Sequence, residues 1–78
     1  MKELLEYLAK GLVEHPEDVR INEVQEDDGT LVLELSVADG DYGSVIGRGG
    51  RTAGALRTII KAATAKEQRR VFVDIVDA

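Results

Sequence analysis

The sequence has no cysteine, no tryptophan, one proline and one histidine among its 78 residues. Without cysteine, neither a disulfide framework nor a thiolate metal site can staple the chain. A lone histidine leaves no metal-ligand set and no nucleophile–base pair, so an enzyme is not expected and neither is a cofactor. Aromatics are confined to Tyr7, Tyr42 and Phe72, which excludes recognition by rows of stacking rings. No apolar run approaches the roughly 20 residues of a membrane span. The opening M-K-E-L-L-E-Y-L carries acids inside its apolar pattern, unlike a signal peptide. A soluble, cytoplasmic protein is the expectation. With 44% hydrophobic residues, residues 1–78 should fold as a single domain close to the size limit for one self-sufficient core.

Charge is abundant but unevenly placed. The net value of −5 argues against a polyanionic partner until its distribution is examined. Residues 1–40 hold three bases against eleven acids, whereas residues 41–70 hold seven bases against Asp41 and Glu67. A local basic field therefore exists inside an acidic chain.

Leu4, Leu5, Leu8, Leu12 and Val13 recur at helical spacing and predict an amphipathic helix over 2–14, ended by His15-Pro16. Residues 19–26 read as a strand whose alternation slips between Ile21 and Val24, as a bulge or an edge position would allow. Asp27-Asp28-Gly29-Thr30 is a hairpin signal. Its acids have the spacing of a solvated turn, not of a calcium loop. In the return strand, 31–37, Leu31, Leu33, Leu35 and Val37 share one face. Asp39-Gly40-Asp41 is a turn in which either aspartate can N-cap a short helix over 42–46. Past a glycine cluster, Leu56, Ile59, Ile60 and Ala63 mark the core face of a helix over 51–66, with Arg57, Lys61 and Thr64 opposite. Residues 71–76 close the chain as a strand, Val71, Val73 and Ile75 facing inward. Helices on one face of a three-stranded sheet make an α+β fold, its first two strands antiparallel. The other sheet face, with Val32, Phe72 and Val76 among polar residues, should be part wet and part groove.

The densest chemistry is Val45-Ile46-Gly47-Arg48-Gly49-Gly50-Arg51-Thr52. A dinucleotide fingerprint needs G-x-G-x-x-G between a strand and a helix, and a Walker A loop needs G-x-x-x-x-G-K-[ST]. This stretch fails both on spacing. Helix, G-x-x-G, helix instead resembles the KH module, a resemblance that implies a loop clamping the backbone of single-stranded nucleic acid. Glycines without Cβ let phosphates approach the main chain, and the next helix offers free N–H groups at its positive dipole end. Arg48, Arg51, Arg57 and Lys61 add charge where phosphates would lie. Arg57 and Lys61, spaced i, i+4, repel each other unless an anion lies between them. Arg69 and Arg70 read as the start of the last strand, and Tyr42 as lining either the groove or the core.

Val45 to Gly50 resembles the V-I-G-x-x-G core of KH domains, and the element order resembles their type II arrangement, α-β-β-α-α-β. The opening nineteen residues and the stretch A-L-R-T-I-I-K-A-A are similar to small bacterial single-KH proteins of the KhpA (YlqC) family. That resemblance implies a type II KH domain that binds single-stranded RNA without catalysis, as an RNA chaperone or post-transcriptional regulator. The implied contacts are Val45, Ile46, Gly47, Arg48, Gly49, Gly50, Arg51, Arg57 and Lys61, with bases over Val45, Ile46 and the exposed edge of the second strand. It also implies a homodimer, and a heteromer with a larger multidomain KH protein of the KhpB family. The alternative is a protein-interaction module on a KH frame with weak or no RNA binding of its own. One departure stands out: Ala53 occupies a position where KH motifs carry a large aliphatic, and Gly54 follows it.

Overall fold

Leu33 and Leu35 have no solvent exposure, and every other element is arranged around the strand that carries them. The computed structural model describes residues 1–77. Helix α1 (Lys2–Lys10) precedes strands β1 (Arg20–Gln25) and β2 (Leu31–Ser36). Helix α2 (Tyr42–Ile46), a 3-10 turn at Arg48–Gly50 and helix α3 (Arg51–Ala63) lead to strand β3 (Val71–Ile75). The sheet order is β1-β2-β3; β2 pairs antiparallel with β1 and parallel with β3. This is the α+β fold in α-β-β-α-α-β order that the sequence implies.

The hairpin forms where expected. Gly29 adopts φ +89°, the Glu26 N–H donates to Thr30 O at 2.8 Å, and Asp28 Oδ1 accepts the Thr30 N–H at 2.9 Å. Its register runs without interruption from Arg20↔Ser36 to Gln25↔Leu31. The slip at Ile21 to Val24 is therefore no bulge: β1 is an edge strand, and Ile21 is its one buried residue.

Helix α1 stops four residues short of the expected end. Gly11 lowers helix propensity there by roughly 1 kcal/mol, and the next turn is diverted by a tertiary contact. Asp41, buried to 2% exposure, accepts the N–H groups of Glu14 and His15 at 3.1 and 3.0 Å. Asp41 holds the N-cap position of α2, yet its carboxylate serves this distant loop and makes no cap bond. His15 accordingly lies before a 3-10 turn at Pro16–Asp18, not at a helix end.

On α3 the buried residues are Ala53, Leu56 and Ile60, followed by Thr64 just past the helix end. The expected face was rotated: Ile59 and Ala63 are exposed, and Thr64 is buried with its hydroxyl donating to Ile60 O at 2.9 Å. Such back-bonding lets a threonine sit where an aliphatic would. Ala53 is buried, and Gly54 beside it is exposed.

Candidate nucleic-acid interface

Gly47 ends α2. Its N–H donates to Gly43 O at 2.8 Å, and its own φ of +76° turns the chain away. A Cβ at Gly47 would lie 2.8 Å from the Thr52 backbone nitrogen, so only glycine fits there. Gly49 and Gly50 also take positive φ, +65° and +81°, but their missing Cβ atoms would meet nothing within 4 Å. One glycine is needed for packing, and the other two leave an open backbone surface. Gly50 then caps α3 in a left-handed conformation, and no side chain bonds the first-turn N–H groups of that helix. No acid occupies that turn either, so its positive end is uncompensated.

Arg48 and Arg51 stand exposed on this loop, and neither pairs with an acid among the described residues. Ile46, 41% exposed, lies directly before it. Val45 does not join them. It is fully buried and fixes α2 to the core, so its side chain supports the loop without being able to meet a ligand. Ile59, expected on the core face of α3 with Leu56, faces solvent, whereas Leu56 is buried.

Farther along α3, Arg57 and Lys61 line a groove of about 580 Å³ against β3. The Arg57 Nε–H donates to Val73 O at 3.1 Å, bracing helix against strand. Arg57 lies six residues past Arg51, about 9 Å along the helix axis. Gly54 falls between them on the Arg57–Lys61 flank, at i, i+3 and i, i+7 from those two residues. Its bare backbone keeps that flank clear from the glycine loop to the groove.

The groove is also lined by Gln68, which sequence reasoning passed over, and by Arg69, Arg70 and Phe72, which it did not assign to the site. Arg69 and Arg70 do not begin β3, which starts at Val71; they precede it and line the groove together with Lys61. The only signal for this was the basic segment itself, which ends on them. Arg69 has a long contact to Glu67 at 3.9 Å, both side chains 41% exposed, which binds weakly in water. The second strand has no exposed edge. It is central, and the free edge beside the groove belongs to β3. Tyr42 does not line the groove: its hydroxyl donates to Val76 O at 2.6 Å, tying α2 to the end of β3.

A second surface lies on the other flank of α3. Leu12 and Ile59, 42% and 43% exposed, border an apolar recess of about 170 Å³ with Leu8, Ala55 and Leu56. Ile59 is two residues from Arg57, a turn of about 200° around the helix. The apolar and basic flanks therefore face apart.

Residues 2–75 match the family described as KhpA/KhpB, KH domain. The chain belongs to this family. It is 54% identical over 78 residues to the RNA-binding protein KhpA of Halalkalibacterium halodurans, covering 99% of this chain and all of that one. It is 51% identical over 76 residues to the RNA-binding protein KhpA of Clostridium perfringens, covering 97% of this chain and all of that one. Among solved structures, Aquifex aeolicus Era bound to GDP and aluminium fluoride superposes with a TM-score of 0.55 at 21% identity. That match covers 96% of this chain and 29% of Era, and it concerns the fold alone. In this KH domain the glycine loop thus joins α2 to α3, and the basic groove follows it between α3 and β3. No helix among the described residues is long and apolar enough to cross a membrane.

Proposed function

We propose that this KH domain binds single-stranded RNA as a single non-catalytic unit, residues 1–78, in the cytoplasm of a bacterium. Its relatives' name, RNA-binding protein KhpA, supports the reading. The observation that carries it is the continuity of an open glycine backbone at Gly49–Gly50 with unpaired arginines and a basic groove. Phosphates lie on the loop amides, Arg48 and Arg51; Ile46 offers the apolar surface beside them. Arg57, Lys61, Arg69 and Arg70 receive the strand farther on. The role that follows is that of an RNA chaperone or post-transcriptional regulator.

With about two to three phosphate contacts on a single strand, log K falls against log salt with a slope of roughly −1.4 to −2.1. The testing variant carries Arg48→Asp with Gly49→Asp. Gly49 lies in the left-handed region, where aspartate is tolerated at a strain of about 1 kcal/mol. Circular dichroism should show an intact fold and anisotropy titration should show RNA binding lost. Unchanged affinity in the folded variant overturns the reading.

The exposed Leu12–Ile59 recess supports a second, compatible role in protein association. A homodimer through this flank, or a heteromer with a larger KhpB-type protein, leaves the basic groove open. Sizing with and without oligo-RNA separates the roles: a dimer that ignores RNA, in a protein that binds none, favours association alone.

A further inference from the structure

Strand β3 turns its backbone alternately toward β2 and toward the groove. The Leu31 N–H donates to Arg70 O, and the Val76 N–H donates to Leu35 O, each at 2.9 Å. Residues 70, 72, 74 and 76 therefore face β2, and the N–H and C=O groups of Val71, Val73 and Ile75 face outward. An open strand edge ordinarily offers donors and acceptors in turn. Here the outward acceptor in the middle of that edge, Val73 O, is covered by the Arg57 Nε–H at 3.1 Å. The next outward carbonyl toward the mouth, Val71, is two residues away, roughly 6.6 Å along the strand.

With Nε engaged, the guanidinium keeps its terminal nitrogens, which are donors only. The bond to Val73 also restrains the plane in which they lie. No acid among the described residues pairs with Arg57. Beside it Lys61 contributes donors only, and so does the outward N–H of Val73. Gln68, at the mouth, has both a donor and an acceptor and favours neither kind of ligand edge.

We infer that Arg57, held by Val73, makes the groove select a nucleobase with two adjacent acceptors, the O6/N7 edge of guanine or the O2/N3 edge of cytosine. Adenine sets its N6 amino donor beside both N1 and N7, the acceptors of its two exposed edges, and uracil separates its two carbonyls by N3–H, so each brings a donor against this wall. The inference rests on the RNA-binding reading above and deepens it. A bidentate arginine pair is the commonest way proteins read guanine in duplexes, and unstacked bases in single strands expose both edges.

The test titrates the full chain with uridine octamers that carry one central guanosine, cytidine, adenosine or uridine, read by anisotropy at fixed salt. The guanosine or the cytidine octamer should bind roughly five-fold or more tightly than the adenosine and uridine ones. Which of the two leads identifies the edge. Arg57→Lys keeps the charge but loses the planar fork, so affinity should fall for all four octamers while their spread closes to about two-fold. Lys61→Ala should weaken all four alike and leave the spread intact, as a phosphate contact does. Equal binding of the four octamers by the wild-type chain, or a spread that survives Arg57→Lys, overturns the inference and leaves RNA binding standing. Failure to bind any octamer removes the RNA-binding reading, and this inference with it.

Discussion

The carboxylate of Asp41 accepts the backbone N–H of His15 at 3.0 Å, joining the start of α2 to a loop 26 residues earlier. The same side chain accepts the Glu14 N–H at 3.1 Å. Asp41→Ala removes both acceptors and should lower stability by about 2–3 kcal/mol. Asp41→Asn keeps one acceptor and should cost about half as much. Urea unfolding of the two variants measures the difference, and equal losses would show that one bond carries the contact.

Tyr42, the next residue, ties the other end of the sheet. Tyr42→Phe deletes the hydrogen bond to Val76 O while keeping the ring packed, so a loss of about 1 kcal/mol is expected. Amide exchange should quicken at Val76 and along β3 more than along β1. A uniform change across the sheet would argue against a local tether.

The loop glycines should separate by kind. Gly47→Ala meets both a positive φ and the Thr52 backbone, and should cost roughly 3 kcal/mol. Gly50→Ala meets only the backbone strain and should cost about 1–2 kcal/mol. Thermal melts of the pair rank them, and the reverse order would contradict the packing described.

Gly54 is a different case, being helical with open space where its Cβ would stand. Gly54→Ala should raise stability by roughly 1 kcal/mol. Because it shares the Arg57–Lys61 flank, the same change should reduce RNA affinity. A variant that is more stable and binds as tightly as the parent would show that the flank carries no ligand.

Acid should loosen the hairpin turn as Asp28 is protonated. The Thr30 N–H holds the Asp28 carboxyl below its ordinary value, with a smaller contribution from Arg70. A lowered folded pKa means a contribution that is complete above the ordinary aspartate value of about 3.9 and is lost as pH falls through the folded value. Carboxyl NMR titration should place Asp28 below the ordinary aspartate value of about 3.9, and Asp28→Asn should flatten the pH dependence of stability in that window.

The element order, the hairpin and the place of the glycine loop between two helices were all legible in the sequence, because each rests on neighbours close along the chain. Gly29 shows this well: the Asp-Gly pair alone announced the tight turn that its φ of +89° makes. What could not be read depended on contacts between distant segments. Asp41 looked like a cap for its own helix until the fold brought Glu14 and His15 to it, and that contact also explains the early end of α1. Thr64 looked like a solvent residue because its hydroxyl hides in a bond to Ile60 O. Arg69 and Arg70 became part of a groove only once β3 was known to lie parallel to β2, with its own edge left free.

That parallel pairing also sets an order in time. Leu31 meets Val71 across forty residues of chain, whereas β1 and β2 meet through a tight turn. Closing the longer loop is the slower step. On refolding, the hairpin and the glycine loop can form before β3 docks beside β2. A refolding chain would thus display its glycine loop before it owns a groove, and the groove becomes a property of the docked strand.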